Sequence, residues 1–487
     1  MSKQLKILII LLAVVVGLGG TLALSIYFID KAEHEDYMAS SIDLGDWKNL
    51  VNRETSELSS VIIHTTEEEY TLNMNPDTNY LVVEGFNSLP QNTSALGGLA
   101  SSVCYINVDE TIVENPEDPS KYGFDDPQFI KITFTDNSTF TLEIGTNAPL
   151  GGQYVRVGGE NTIYLMNEGL DDILVPKEKY IGLNLIESQT TSDTSSGSSS
   201  QSSSSQSSDT ATTVKPENLI FSGSIRENPI EIMPNSNDDP SLGSASCNYL
   251  IPSYGYLPAD NELMTSINSS LVPFTADEAV IAHPTADQIE QYGLSNPRSI
   301  AEFSVLGQQY TIKLGNKEGG SYYLMVSGID CIYAISDANA PWAELQAADL
   351  LASPVYAPEI TAVSSISLQT SQSNHTFDIT VTDLGSSQGI DNVLLDGIQY
   401  DTQQYRDIYE QFLNSNNTAE TENSAPESSP ALTVIMKFNC NDRTDTLDYY
   451  YDSATTCRLI INQTVNVTVP RDKVDIFIAS INALNAQ

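Results

Sequence analysis

The chain of 487 residues has few basic residues, with 21 lysines and arginines against 64 aspartates and glutamates and a formal net charge of −43. Proteins that bind nucleic acid through its phosphates need clustered Lys and Arg, and the sequence has no such cluster. Nucleic acid is therefore excluded as a partner. We interpret the acidic excess as a source of solubility, and adaptation to a salt-rich or cation-rich setting is the alternative.

Cysteine is also scarce, and its five positions are Cys104, Cys247, Cys331, Cys440 and Cys457. They are too few and too scattered for a disulfide framework. Only Cys440 and Cys457 look like a pair, but the predicted strands place them about 20 Å apart. A bridge needs α-carbons within about 7 Å. We expect this pair to be unbridged and the other three cysteines to be buried as small hydrophobic side chains.

Catalytic and metal-binding patterns are missing as well. The four histidines fall in four different segments: His34, His64, His283 and His375. None has the Cys or Glu spacing that zinc needs, and no serine stands in a hydrolase motif. The acidic pairs Asp125-Asp126 and Asp238-Asp239 leave calcium binding open, although no EF-hand loop surrounds them. The sequence predicts no enzyme activity, no cofactor and no metal site.

Only one long apolar run occurs, from Ile7 to Ile29, and its length of about 23 residues suits a helix across a hydrocarbon core of ~30 Å. Lys3 and Lys6 precede it and an acidic segment follows, so the N-terminus is predicted to be cytoplasmic. We expect residues 1–30 to form a cytoplasmic tip and a single transmembrane helix, residues 7–29 to contact the lipid bilayer, and the bulk of the chain to be extracytoplasmic. A cleaved signal peptide ending near Ala23-Leu24-Ser25 is the alternative.

A duplicated block is the most informative feature that is present. The segment Tyr122-Gly123-Phe124-Asp125-Asp126-Pro127 returns 170 residues later as Tyr292-Gly293-Leu294-Ser295-Asn296-Pro297. The segment from Phe140 to Gly145 recurs at the same offset from Tyr310 to Gly315. Because residue type and spacing are both copied, the extracytoplasmic part is built from repeats.

We predict a structural role for the repeated positions, which are Tyr122, Gly123, Pro127, Gly145, Tyr292, Gly293, Pro297 and Gly315. Glycine tolerates positive φ and proline fixes φ, so each block is expected to form a turn that aims the next strand. The tyrosine is expected to pack beneath that turn. The alternative is that the two turns are equivalent docking points for a partner.

Short apolar runs around the blocks predict an α+β fold of tandem β-rich repeat units, with short antiparallel strands and two helices in each unit. The predicted units are 45–187, 214–353 and a diverged third unit at 359–487, which has an acidic loop at 414–430 in place of the block. A Ser-rich tract at 188–213 is predicted to be a disordered linker.

The helices are predicted from apolar periodicity and from their flanking residues. One in each unit follows the third strand, at about Gln91–Ser102, Asp260–Leu271 and Thr402–Leu413. A second closes each unit, near Glu168–Leu174, at Ala338–Leu351 with Asp337 as its cap, and at Arg471–Leu484.

The paired blocks, each followed by a strand that ends in glycine and by a tyrosine-rich strand pair, resemble the domain of unknown function 4340 family. The resemblance extends from about Val61 to Leu351 and, with less specificity, to the C-terminus. It implies a membrane-anchored, extracytoplasmic protein associated with gliding-motility-type ABC transporter auxiliary components, and it brings no catalytic residues.

We therefore expect a non-enzymatic accessory or docking subunit of an ABC-type transporter or a related envelope complex. The alternative is a module that binds cell-wall glycan with its tyrosine-rich strands. The run Tyr449-Tyr450-Tyr451 is not expected to give a contiguous platform, because successive side chains in a strand alternate between faces.

Overall fold

The computed structural model describes residues 48–167, 170–188, 214–236, 239–242, 247–383, 389–419, 427 and 429–484. Antiparallel β-sheet dominates these residues, and five α-helices accompany it. The predicted α+β class with β-rich, repeat-like units is confirmed. The predicted membrane segment at 7–29 and all but the first residue of the Ser-rich tract lie outside the described residues. Within the described ranges, no helix is both long enough and apolar enough to span a bilayer.

The chain folds as two compact units. The first compact unit contains the described residues up to Tyr180, except 88–90. The second contains residues 88–90 and the described residues from Ile181 onward.

The first compact unit is built on an eight-stranded antiparallel sheet. Its elements are β1 Lys48–Asn52, β2 Leu58–His64, β3 Glu69–Met74, β4 Leu81–Val83, α1 Thr93–Cys104, β5 Tyr105–Val108, β6 Glu110–Glu114, β7 Gln128–Phe134, β8 Thr139–Asn147, β9 Gln153–Val157 and β10 Thr162–Met166. The strand order is β4-β3-β2-β7-β8-β9-β10-β6, and β1 pairs separately with β5.

The second compact unit contains two large sheets. The elements of the first of these are β11 Asn184–Ile186, β12 Glu217–Ser222, β13 Ile230–Pro234, β14 Tyr249–Ile251, β15 Leu257–Pro258, α2 Asn261–Leu271, β16 Phe274–Thr275, β17 Glu278–Ala282, α3 Ala286–Gln291, β18 Ser299–Val305, β19 Gln308–Glu318, β20 Ser321–Val326 and β21 Cys331–Ser336. The nine-stranded order is β15-β14-β13-β12-β18-β19-β20-β21-β17, with β11 paired to β16.

The other large sheet in this unit has eight strands. Its elements are β22 Val363–Thr370, β23 Asn374–Val381, β24 Ile390–Leu395, β25 Ile398–Gln399, α4 Thr402–Ser415, β26 Leu432–Phe438, β27 Thr444–Tyr451, β28 Thr456–Ile461, β29 Val465–Pro470 and α5 Arg471–Asn482. The strand order is β25-β24-β23-β22-β26-β27-β28-β29.

The three large sheets share one strand plan. An arm of three strands in the first sheet, and of four in the other two, pairs antiparallel through its first strand with the first strand of a four-stranded meander. These pairs are β2–β7, β12–β18 and β22–β26. The helices α1, α2 and α4 each follow an arm. In the first two sheets an extra strand, β6 or β17, pairs with the last strand of the meander. The plan recurs in the third sheet even though the Tyr-Gly block is absent there.

Alternating side chains place the core of each sheet. In β7, Ile130, Ile132 and Phe134 are buried, whereas Lys131 between them is exposed. This period of two is what a strand with one buried face requires. The cysteines at positions 104, 247 and 331 are buried, as predicted, and none of the five cysteines, all of which are described, forms a disulfide.

The predicted closing helices of the first two units are wrong. Residues 170–174 form turns anchored by buried Leu170 and Ile173, while residues 168 and 169 lie outside the described part. In place of a helix over 338–351, short 3-10 turns occupy Asp337–Asn339 and Ala347–Leu350. Pro341 explains the second error, because a proline inside a helix removes one backbone donor and collides with the preceding turn. Asp337 therefore lies inside a turn and does not cap a helix.

Several short elements were not predicted. The edge strands β6 and β17 precede the two Tyr-Gly blocks, and helix α3 leads directly into the second block. Each has only five or six residues, too few to show a clear period in the sequence. These elements lead the chain into the two Tyr-Gly turns.

Candidate functional site

The first Tyr-Gly block forms a turn pressed against the end of strand β8. Residues Pro119–Tyr122 make one 3-10 turn, and Gly123 ends it in the left-handed region with φ of 87°. A Cβ atom built on Gly123 would lie 2.6 Å from the backbone nitrogen of Thr146. One built on Gly145 would overlap the carbonyl oxygen of Tyr122 and lie 3.1 Å from the ring of Phe124. Both glycines are therefore required by close backbone approach.

The second block repeats this arrangement with different side chains. Gly293 follows α3 with φ of 74°, and a Cβ on Gly315 would overlap the carbonyl oxygen of Tyr292. The backbone N–H of Asn316 donates to that same oxygen at 2.8 Å. The side-chain amide of Asn316 donates to Gln291 O at 2.9 Å. The two halves of the duplicated motif thus lie in contact within each sheet.

A tyrosine pair accompanies each turn. Tyr122 meets Tyr154 edge to face with ring centroids 5.0 Å apart, and Tyr292 meets Tyr323 at 4.4 Å. All four tyrosines are half-buried, so they contact each other and also face solvent. The prolines precede the strands that leave each turn, since Pro127 is followed by β7 and Pro297 lies two residues before β18.

A model of the family described as domain of unknown function (DUF4340) matches residues 84–181 and 250–429, more than half of the chain, and each matched segment contains one Tyr-Gly block. The chain belongs to this family. No curated protein matches it, and no solved structure does.

In this DUF4340 chain the second block opens onto a cleft of about 690 Å³. Tyr292, Tyr323 and Gly293 line it together with the charged side chains of Arg298, Lys317 and Glu318. Tyr323 donates its hydroxyl to Glu318 Oε2 at 3.0 Å. That hydrogen bond to a carboxylate raises the pKa of Tyr323.

Ion pairs fix the charged side of this cleft. Arg298 donates from Nε and Nη2 to the two carboxylate oxygens of Glu344 at 2.7 and 2.8 Å, and Tyr322 donates to Glu344 Oε1 at 2.7 Å. The bond from Arg298 is the larger cause that lowers the pKa of Glu344 to about 2. Lys317 pairs with Asp337 at 3.0 Å, and this partner raises the pKa of the lysine.

A pH titration tests the Glu344 pair. A carboxylate whose pKa is lower in the folded state stabilises the fold fully above its unfolded pKa, and the effect is lost as the pH falls towards the folded pKa. The wild type is therefore expected to exceed Glu344→Gln in Tm by about 1–3 °C above pH 5, because the pair is half exposed. The difference should shrink progressively towards pH 2, as measured by circular dichroism melts across this range.

The exposed residue Glu302, which has no ion pair among the described residues, supplies the control. Glu302→Gln removes a surface carboxylate outside the pair and should melt within about 1 °C of wild type at pH 7. A Glu344→Gln difference that is constant over that range would contradict the role assigned to the pair.

The first block carries a different surface. At the positions that correspond to Arg298, Lys317 and Glu318 it has Gln128, Asn147 and Ala148, so the ions are replaced by neutral side chains. A separate cleft of about 470 Å³ lies at the connection between β8 and β9 and is lined by Gly151, Gly152 and Asp171, among others. The two turns are therefore alike in backbone and different in chemistry.

The other candidates from the sequence do not assemble into a site. The described residues contain no group of three or more His, Cys, Asp or Glu side chains able to hold a metal. Asp125 and Asp126 are exposed, and Asp239 is engaged by Ser241 and Asn441, whereas residue 238 lies outside the described ranges.

The histidines and the tyrosine run are also separate features. Each described histidine faces its own carboxylate: His64 lies 3.3 Å from Glu69, His283 lies 2.8 Å from Asp330, and His375 lies 2.7 Å from Asp396. In the tyrosine run, Tyr449 is fully buried, whereas Tyr450 and Tyr451 are half-buried. Alternation in β27 thus prevents a contiguous tyrosine platform, as expected.

Sequence reasoning identified the turn glycines but missed the partners that give the cleft its chemistry. Tyr323 lies 169 residues after Tyr154, one residue fewer than the 170-residue offset between the blocks. An alignment of the two repeats without gaps therefore does not match these tyrosines. Arg298 and Glu344 are 46 residues apart and meet only through the folding of the sheet. The proximity of Arg298 to the end of the block was the one local signal.

Proposed function

We propose that this chain is a non-enzymatic accessory subunit, anchored in the membrane by residues 7–29, whose extracytoplasmic units dock a partner protein of an ABC-type transporter or a related envelope complex. The anchor and the transporter association rest on the sequence and on the family resemblance. The docking role rests on the second Tyr-Gly turn.

The observation that carries the docking role is the combination of a fixed backbone and an accessible, mixed surface at this turn. Close contacts at Gly293 and Gly315 hold the backbone, and ion pairs hold Arg298 and Lys317. Tyrosine and arginine are among the side chains that are enriched at binding hot spots. A surface that is already ordered loses little side-chain entropy when a partner binds.

A pull-down from native membranes tests the proposal. Tagged full-length protein is extracted in mild detergent, cross-linked and analysed by mass spectrometry, alongside Lys317→Glu, which reverses a charge in the cleft. We expect wild type to recover a transporter permease or ATPase with cross-links near the second block, and Lys317→Glu to recover several-fold less. Loss of charge complementarity at an interface is the reason for that decrease.

Lys313→Glu is the matched control, because Lys313 is exposed on the same strand β19 and does not line the cleft. It should recover the partner as wild type does. Equal recovery by all three proteins would contradict the assignment of the cleft. Recovery of cell-wall fragments in place of a membrane protein would favour the alternative role in glycan binding.

A further inference from the structure

A second cleft, of about 730 Å³, lies within the second compact unit beside residues 352–360, which connect the two large sheets of that unit. We call it the strap cleft. The strap is fixed on both sides: Ala352 N donates to Pro258 O at 2.9 Å, and the hydroxyl of Tyr409 donates to Pro358 O at 2.6 Å. The cleft is therefore present before any ligand binds, and its volume is typical of small-molecule sites.

Arg406 of helix α4 lines the strap cleft and is half-buried. The other seven arginines of the chain all donate hydrogen bonds to carboxylates or carbonyl oxygens. Arg406 makes no hydrogen bond or ion pair with any residue that the structure describes. An unpaired guanidinium in a chain of net charge −43 indicates a site for a carboxylate or similar anion supplied from outside.

The same cleft offers a second unpaired donor and an apolar surface. The backbone N–H of Ala357, which also lines the cleft, makes no hydrogen bond within the described part of the chain. Pro258, Pro358 and Leu413 supply apolar contact. The lining thus fits an apolar body that carries one anionic end.

Carboxylates restrict the ligand further. Asp260, Glu262, Glu359 and Glu410 also line the cleft, and Asp260 is already engaged as the cap of α2 through Leu263 N at 2.7 Å. A purely anionic amphiphile would be repelled by these groups. A ligand with a positive group as well as a carboxylate would be attracted by both signs of charge.

We propose that the strap cleft binds a short apolar peptide with free termini. Its carboxylate pairs with Arg406, its side chains contact the proline and leucine surface, and its ammonium group faces the carboxylates. This inference is independent of the docking role proposed for the Tyr-Gly turn, since it concerns a different surface and a different ligand.

Isothermal titration calorimetry of the full-length protein in detergent tests this inference with leucyl-leucine as the probe. Amidation of its C-terminus should weaken binding about tenfold or more, because a charge-assisted hydrogen-bonded pair is lost. N-acetylation should weaken binding several-fold. Arg406→Gln should bind leucyl-leucine about as weakly as wild type binds the amide, and should no longer distinguish the two.

Two controls keep the result specific. Arg406→Gln should melt at the wild-type temperature, since Arg406 makes no hydrogen bond or ion pair to the described residues that the substitution would remove. Lys313→Gln removes one positive charge away from the cleft and should bind leucyl-leucine normally. The proposal is overturned if leucyl-leucine releases no heat, if its amide binds equally well, or if octanoate binds as tightly as the dipeptide.

Discussion

Gly145→Ala is expected to destabilise the first compact unit by about 3 kcal/mol or more, because the added methyl group would overlap a backbone atom. The atom in its way is the carbonyl oxygen of Tyr122, which belongs to the turn and cannot rotate aside as a flexible side chain would. Gly315→Ala should have a similar effect in the second compact unit, where the obstacle is the carbonyl oxygen of Tyr292.

Urea unfolding measured by circular dichroism gives the free energy of unfolding for each variant. Gly97→Ala is the matched control, because Gly97 lies in helix α1 of the same unit and a Cβ there meets no atom within 4 Å. Alanine is a better helix former, so this variant should gain about 0.5–1 kcal/mol. Wild-type stability for Gly145→Ala would show that the turn and strand can separate without cost.

The turn itself could be predicted from the sequence because its signals are local. Gly123 and Gly293 adopt the positive φ that the pattern of glycine and proline indicates. The strand that ends at Gly145 or Gly315 was also predicted, from alternation of apolar residues. What the sequence did not reveal is that these two parts of the motif touch, since a repeated spacing gives no distance between its members.

The predictions of the closing helices were wrong because tertiary packing outweighs the local preference of these segments for a helix. The segment from Ala338 to Leu351 is rich in alanine and leucine, which favours a helix. Pro341 interrupts it, and Trp342 beside that proline is fully buried against Phe221, with ring centroids 5.7 Å apart. The chain therefore follows the sheet surface in short turns.

Electrostatic features were beyond sequence reasoning for a simpler reason. With 64 acidic residues in the chain, almost any arginine has a carboxylate nearby in sequence, so pairing partners cannot be chosen. Arg406 illustrates this, because Glu410 lies one helical turn away and yet forms no ion pair with it. Only the folded structure distinguishes a paired arginine from one that is available to a ligand.

The two Tyr-Gly turns share a backbone arrangement but differ in surface chemistry. Backbone contacts at the glycines are similar in both, whereas Arg298, Lys317 and Glu318 around the second turn correspond to Gln128, Asn147 and Ala148 around the first. Substitutions at the glycines should therefore affect folding in either unit. Under the proposed docking role, substitutions at Lys317 should affect only the binding of a partner at the second turn.

Arg226→Met is expected to destabilise the second compact unit by about 3–5 kcal/mol, since several buried carbonyl groups would lose their donor. Arg226 is only 7% exposed. Its guanidinium donates to Leu345 O at 2.9 Å, to Trp342 O at 2.8 Å and to the hydroxyl of Ser299 at 2.7 Å. Among the described residues, no carboxylate accepts a hydrogen bond from Arg226. Its planar guanidinium donates to uncharged acceptors and so acts as a clamp that joins a strand to a turn.

Two further substitutions separate geometry from charge. Arg226→Lys keeps the charge but has no planar fork, so it should recover only a small part of the lost stability. Arg406→Met removes an arginine of the same unit that makes no hydrogen bond within the described part of the chain, and it should change the free energy of unfolding by less than about 0.5 kcal/mol. If urea unfolding places Arg226→Met within that same range, water must satisfy the carbonyl groups, and the clamp would not be what joins residues 342–345 to the sheet.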